Sequence, residues 1–314
     1  LKVSIRTILQ SLQRRNLIGS LYACTHTTCS GCCHSVTANY GNLLSVLLKT
    51  VLCEKVDNDV VVKTVSVPSF NPSATMEETL EYLAEQISTL MSPEVTKIGI
   101  GVPSVVDVNK GIVYDAANIP SWKEVHLKNF LEARFGVPAY VNNDANCYAM
   151  GAYGTYPADA KPETLVTVTL GTGIGIGVVD HGRLICGVNC GAGELGYLDY
   201  KDGCLEEYCS RQYFDKLGVK AHEVAAAANE GDAEAIEIFN EFGKNLGHAI
   251  MILMYAYDPS HIVFGGGIAN ALPLFRGTME EYIKSKFPFR SNFDRLQIDI
   301  RTSGEIPIIG ASLI

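Results

Sequence analysis

Leu165-Val-Thr-Val-Thr-Leu-Gly171-Thr172-Gly173-Ile-Gly175-Ile-Gly177 is the stretch from which the fold is read. Its first half alternates β-branched and apolar residues, the pattern of a buried strand. Its second half places glycine at every other position from 171 to 177. Glycine lets the backbone reach φ > 0 and approach a ligand closely, so successive N–H groups can converge on an anion, with the Thr172 hydroxyl as a further donor. Downstream, Val-Val-Asp180-His181-Gly182-Arg-Leu-Ile reads as a second strand and a hairpin turn. Strand, glycine turn, strand is not the strand, turn, helix order of a dinucleotide fold. A glycine-rich hairpin without a ligand fits the stretch equally well.

Strands and helices interleave on both sides of this hairpin. Upstream, Val60–Val67 reads as a strand, and Thr75-Met-Glu-Glu78 is a capping box that opens a helix to about Met91. Lys97–Val102 is a strand ended by Pro103, Leu127–Phe135 a helix stopped by Gly136, and Ala139–Val141 a strand leading into Asn142-Asn143-Asp144 and a further helix. Downstream, Glu206–Leu217, Ala221–Ala228 and Ala233–Tyr257 read as helices, and a strand from His261 to Phe264 runs into Gly265-Gly266-Gly267. A helix from Phe275 to Lys286, a strand from Leu296 to Arg301 and the start of another helix at Gly310 follow. This alternation defines an α/β protein, and no internal repeat is visible.

The chain has 314 residues, 47% hydrophobic and 19% charged, with a net charge of −9. That acidity argues against nucleic acid as a partner, because phosphate contacts dominate such affinity. No apolar run reaches the roughly 18 residues that a membrane span needs, so no membrane partner is expected. Residues 1–53 stand apart: they hold no Asp or Glu, five basic residues and five of the ten cysteines. Cys24-x4-Cys29-x2-Cys32 copies an iron–sulfur spacing, but no closing ligand accompanies it.

Several residues can carry chemistry. Asp144 stands at a strand end, where a carboxylate can take a proton from a bound hydroxyl while Asn143 orients the same substrate; a helix cap explains Asp144 equally well. Asn118-Ile-Pro-Ser-Trp122 is a polar turn, Glu194 is flanked by glycines, and Glu206 follows Cys204-Leu205. Carboxylates and amides on loops suit a polyol, although solvated loop acids give the same text. Gly265–Gly267 could let a flat base lie against backbone, or could mark a close helix–strand contact.

In order, Gly-Val-Pro (101–103), Asn-Ile-Pro-Ser-Trp (118–122), Val-Asn-Asn-Asp-Ala-Asn (141–146), Leu-Gly-Thr-Gly-Ile-Gly (170–175), Gly-Ala-Gly-Glu-Leu-Gly (191–196) and Val-Phe-Gly-Gly-Gly-Ile (263–268) closely resemble the ROK family of sugar kinases and repressors. The resemblance covers about residues 54–314 and implies a two-lobed actin-like (ribonuclease H-like) sugar kinase fold, with ATP and a hexose meeting between the lobes. On it, residues 54–117 complete the smaller lobe and 118–314 form the larger, with the final residues returning to the first.

By the same resemblance Asp144 matches the catalytic base, and Asn118, Asn143, Asp144, Glu194 and Glu206 match sugar contacts. Gly171, Thr172 and Gly173 match a phosphate loop, and Gly265, Gly266 and Gly267 the adenosine-side loop. ATP and Mg²⁺ are the implied cofactors, a homodimer is compatible with the family, and a cytoplasmic location is implied. The alternative readings are a ROK transcriptional regulator, for which residues 19–40 supply no recognition helix, and a catalytically silent sugar-binding protein.

Two departures from the family pattern matter. Tyr197 stands where the family has a zinc-binding His, and Cys204 alone remains of its cysteine set, so structural zinc is expected to be absent. The family's opening strand and Asp-x-Gly-Gly-Thr loop have no counterpart in residues 1–53, which contain no aspartate. Residues 1–53 therefore read as an atypical segment: either non-native text, such as a frameshift produces, with family sequence resuming near Val51 to Glu54, or a disordered or truly divergent start of the lobe. Reading the encoding DNA in its other frames for Asp-x-Gly-Gly-Thr tests this.

Overall fold

A computed structural model describes residues 33–39, 43–47, 52–57, 60–68, 71–93, 95–116, 119–188 and 190–314. Asn118, the Cys24, Cys29 and Cys32 run, and residues 48–51 lie outside the described residues.

Two sheets carry the fold. In the first, β1 (Cys33–Asn39), β2 (Leu43–Leu47), β3 (Leu52–Asp57), β4 (Val60–Pro68), β5 (Lys97–Val102) and β9 (Ala139–Asn143) lie in the order β1-β4-β3-β2-β5-β9. Three short strands, β6 (Val105–Asp107), β7 (Ile112–Tyr114) and β8 (Glu124–Val125), form a separate ribbon before β9. The second sheet joins β10 (Thr164–Leu170), β11 (Ile174–Asp180), β12 (Arg183–Leu184), β15 (His261–Gly265) and β16 (Gln297–Ile300) in the order β12-β11-β10-β15-β16. Between them in sequence, β13 (Asp199–Tyr200) and β14 (Gly203–Cys204) make a small hairpin.

The two sheets share one plan. In the second, β10, β11 and β12 form an antiparallel meander, and β15 and β16 then add parallel to β10. In the first, β2, β3 and β4 form the meander, and β5 and β9 add parallel to β2. This repetition is a fold-level duplication, and two such lobes make the actin-like architecture. It is invisible in the sequence because it is carried by strand order and not by matching residues. The β10–β11 pair that the glycine loop joins therefore has its topological counterpart in the β2–β3 pair.

Ten helices are described: α1 (Met76–Ser88), α2 (Leu127–Phe135), α3 (Asp144–Gly154), α4 (Leu205–Cys209), α5 (Arg211–Lys216), α6 (Ala221–Asn229), α7 (Ala233–Tyr257), α8 (Leu272–Lys286), α9 (Arg290–Arg295) and α10 (Ile306–Leu313). The capping box on Thr75 and Glu78 forms at the start of α1, as the spacing predicts. Leu80, Leu83 and Ile87 of α1 pack with Ile98, Ile100, Val141 and the fully buried Trp122. Trp122 donates its indole N–H to Thr79 Oγ1 at 2.6 Å. Since α2 and β9 belong to this same core, the first layer runs on to Asn143, and the division expected at 117/118 falls inside it. The second core is built on Phe214, Phe239, Phe242 and Phe275, with the apolar face of α7 buried as its sequence implies. Among the described residues no helix is long and apolar enough to cross a membrane.

One predicted helix is two. Glu206–Leu217 breaks at Ser210, which is extended at φ −134°, ψ −169° and caps α5 by accepting from Gln212 N–H. The break frees the Arg211 N–H, which donates to the Gly171 carbonyl at 2.9 Å. Helix periodicity in the sequence holds no trace of it.

The last strand of each sheet feeds a helix that packs on the other lobe: α3, after β9, lies on β11, and α10, after β16, lies on β5. Glycines make the approach close. A Cβ on Gly177 would lie 2.6 Å from Ala149 Cβ, and one on Gly310 would overlap the Cys147 carbonyl of α3. Gly175 and Gly177 thus serve helix–strand packing, whereas the sequence alone associated them with an anion.

Candidate active site

Asp144 sits where the chain leaves the first sheet and enters the helix that lies on the second. The N-cap of α3 is Asn143, at φ −70°, ψ 147°, whose Oδ1 accepts from Ala145 N–H at 2.8 Å and Asn146 N–H at 3.4 Å. The capping role left open for Asp144 therefore falls to Asn143, and Asp144 is the first helical residue. Asn143 Nδ2 also donates to the Ser104 carbonyl at 3.1 Å, tying the helix start to the strand end after β5. Beneath it, buried Asn142 Oδ1 accepts from Asn143 N–H, Asn146 Nδ2 and the Cys190 thiol at 2.8, 3.0 and 3.2 Å. Cys190 is buried and is a donor in this network.

Glu194 and Glu206 reach the same place from the far side of β11. Gly193 has φ +97°, and a Cβ there would lie 2.5 Å from the Ile176 carbonyl, so only glycine lets the Glu194 turn rest on β11. A Cβ on Gly196 would lie 2.9 Å from Ile174 Cγ2 and 3.5 Å from Glu206 Cβ, so this turn and Glu206 touch. The Glu194 carboxyl opens to solvent but is shielded by the surrounding protein. That shielding raises its pKa above the usual carboxylate value, and the Asp144 and Glu206 charges raise it further. Three carboxylates thus converge. The exposed Tyr197 stands beside them, its phenol raised first by the Glu206 charge, then by burial and by Glu194.

Glu206 also touches the glycine loop. Its Oε2 accepts the Ile174 N–H at 3.1 Å, and its Oε1 accepts from Gln212 Nε2 at 2.9 Å. Within the loop, Gly171 N–H donates to the Gly173 carbonyl at 3.0 Å. The amides of Thr172 and Gly173 have no acceptor among the described residues, and the space around Gly171 is open. Two amides, and not a longer series, are thus the loop's donors for an anion.

The Gly265–Gly267 run divides by role. A Cβ on Gly265 would overlap the Tyr148 ring, and Gly266, at φ +81°, turns against the Leu170 carbonyl. Gly267 alone has open space around it. Close helix–strand contact therefore explains the first two, and only Gly267 offers bare backbone to a ligand.

The structure brings together Asp144, Asn143, Glu194, Glu206 and the loop Gly171–Gly173; Asn118 lies outside the described residues. Sequence reasoning missed Ser104, Gln212 and Asn146, which act through contacts made only in three dimensions. Among the described residues no cluster of three His, Cys, Asp or Glu side chains has the arrangement of a metal site.

A duplicated lobe plan with carboxylates and an open glycine loop at the junction defines an actin-like fold. Residues 50–305 match the ROK family, and the chain belongs to it. It is 34% identical over 206 residues to a glucokinase of Halalkalibacterium halodurans, covering 55% of this chain and 62% of that protein. It is 26% identical over 238 residues to a xylose repressor of Bacillus spizizenii, covering 69% and 61%. Both alignments span less than two thirds of the relative's length. A ROK glucokinase of Streptomyces griseus, solved in complex with glucose and AMPPNP, superposes with a TM-score of 0.67 at 23% identity, over 90% of this chain and 98% of that one. The match that starts at residue 50 leaves β2 outside the family's reach.

Proposed function

We propose that the chain binds a hexose and ATP between its lobes and transfers the γ-phosphoryl group to a sugar hydroxyl, with Asp144 as the base that accepts the hydroxyl proton. The observation that carries the reading is the Glu206 bridge: one carboxylate belongs to the acid group suited to sugar hydroxyls and also holds the end of the loop suited to phosphate. Asn143, Glu194 and Glu206 are the sugar contacts, with Asn118 added by the family motif. Polar partners that a bound sugar covers discriminate hydroxyl patterns, because a wrong isomer leaves one of them unpaired. The relatives' names support glucose as the first substrate to test.

The donor set fits the phosphates of ATP on one side. Thr172 and Gly173 amides would hold them, the open Gly171 and Gly267 would admit the nucleotide, and Gly265 and Gly266 would shape its loop. ATP supplies the transferable phosphoryl group when bound. Mg²⁺ is fitted less well: the family pattern holds it with an Asp-x-Gly-Gly-Thr loop, and residues 1–53 contain no aspartate. No step is therefore assigned to the metal. This favours a second reading, sugar binding without turnover.

ADP release in a coupled assay with glucose, mannose, fructose and N-acetylglucosamine, run beside calorimetric titration of the same sugars, tests the proposal. Turnover lost in Asp144→Asn supports the kinase. Calorimetric binding without ADP release supports the silent reading, sugar-sensitive operator binding supports the regulator, and absence of sugar binding rejects a carbohydrate site.

A further inference from the structure

The β13–β14 hairpin has only two residue pairs, Asp199 with Cys204 and Tyr200 with Gly203, too few to be stable alone. Its turn is strained as well, because Lys201, a residue with a side chain, sits at φ +55°. Both costs are offset by where the Lys201 side chain goes. Its ammonium reaches α7, 2.7 Å from Asn245 Oδ1 and 3.0 Å from Glu241 Oε1. It also stands over the rings of Tyr208, at 4.9 Å, and Tyr200, at 5.4 Å.

Asn245 is fully buried and its Nδ2 has no acceptor. An amide normally turns to satisfy both ends, but here Oδ1 is held by two donors, Lys201 Nζ and the Tyr200 hydroxyl at 3.1 Å. Turning it over would aim N–H groups at an ammonium. The orphaned nitrogen therefore marks an amide oriented for the lysine. Cys204, the last hairpin residue, is the N-cap of α4, and Leu205 N–H donates to the Leu198 carbonyl at 2.9 Å. Glu206 comes next in the chain, so a displaced hairpin displaces its carboxylate.

We propose that Lys201 is a positioning residue for the ligand site: its ammonium clamps the hairpin to α7 and so holds Glu206 on the Ile174 amide. The cation is the chain's own, at a hairpin where the sequence leaves one cysteine and no histidine. The role in sugar binding rests on the kinase reading above; the clamp itself does not.

Two measurements on the full chain separate them. In Lys201→Met, amide hydrogen exchange at Ile174 and Leu205 is expected to speed up about tenfold or more while the core of α7 keeps its protection, and Lys201→Arg recovers most of it. Unchanged exchange at Ile174 overturns the clamp. By calorimetry, Lys201→Met weakens glucose binding about tenfold, and adding it to Glu206→Gln costs nothing further, since it acts through Glu206. A full additional loss in the double variant overturns the coupling. If the parent chain binds no glucose the kinase reading fails, and the exchange result still decides the clamp. Should Lys201→Met not fold, Tyr208→Leu removes one ring beneath the ammonium and leaves its ion pair, and a smaller rise at Ile174 is then expected; no rise overturns the proposal.

Discussion

Glu206 accepts the Ile174 N–H at 3.1 Å with one oxygen and Gln212 Nε2 at 2.9 Å with the other. A carboxylate so held is pre-oriented, and each oxygen keeps a further lone pair with which it can accept from a ligand hydroxyl. Charge-assisted hydrogen bonds of this sort contribute about 1.5–3 kcal/mol each, so Glu206→Gln should weaken glucose binding roughly ten- to a hundredfold. Gln212→Leu should reproduce a smaller part of the loss. Calorimetry on the three proteins checks the order.

Gly171 and Gly177 lie six residues apart in one glycine-rich run, yet they should respond in opposite ways to alanine. At 177 a methyl would meet Ala149 Cβ at 2.6 Å and the Ala145 carbonyl at 2.7 Å, neither at the end of a flexible side chain. Overpacking there should cost about 1–3 kcal/mol or more, read as a lower urea midpoint. At 171 a methyl meets nothing within 4 Å. Stability should change by no more than about 0.5 kcal/mol, while AMPPNP binding weakens because the methyl occupies the open face of the loop.

Glu194 ties stability to pH with a definite sign. Burial first, and then the Asp144 and Glu206 charges, hold its pKa above the ordinary 4.5. Just above 4.5 the folded chain keeps a proton that the unfolded chain has released, so stability falls as pH rises through that window. Glu194→Gln should remove this downward slope in urea titrations across the acid range. Glucose affinity should run the other way, rising as Glu194 ionises and becomes a pure acceptor. A pH-independent affinity through this window would take Glu194 out of the sugar site.

The glycine hairpin, the α1 capping box and the passage from strand to helix at Asp144 were legible because each rests on local chemistry: alternation, a cap and turn glycines. The roles of individual glycines were not. Gly175 and Gly265 are indistinguishable from Gly171 and Gly267 as text, and only the positions of Ala145 and Tyr148 tell packing from open backbone. The break at Ser210 was hidden for a similar reason, since the Arg211 N–H that it frees finds its partner in the Gly171 carbonyl, 40 residues earlier in the chain. The lobe duplication likewise lives in strand order alone.

Asn143 and Asp144 are neighbours that the sequence could not tell apart as cap and base, and their substitutions should separate cleanly. Asn143 Oδ1 holds two amides of α3, and its Nδ2 bridges to Ser104. Asn143→Ala should therefore destabilise the fold by about 1–2 kcal/mol, the usual cost of losing a cap, and loosen the junction of the lobes. Asp144 follows the cap and lies in the field of Glu194. Asp144→Asn keeps the side chain's shape and removes a charge that raises its neighbour, so the Glu194 pKa should drop toward its ordinary value. Turnover should vanish with glucose affinity changed by less than about tenfold, because a proton acceptor acts on the transition state and contributes little to ground-state binding. Chemical denaturation and calorimetry of both variants check the division. If Asp144→Asn lost stability like Asn143→Ala and left any turnover intact, the assignment of the base to Asp144 would be overturned.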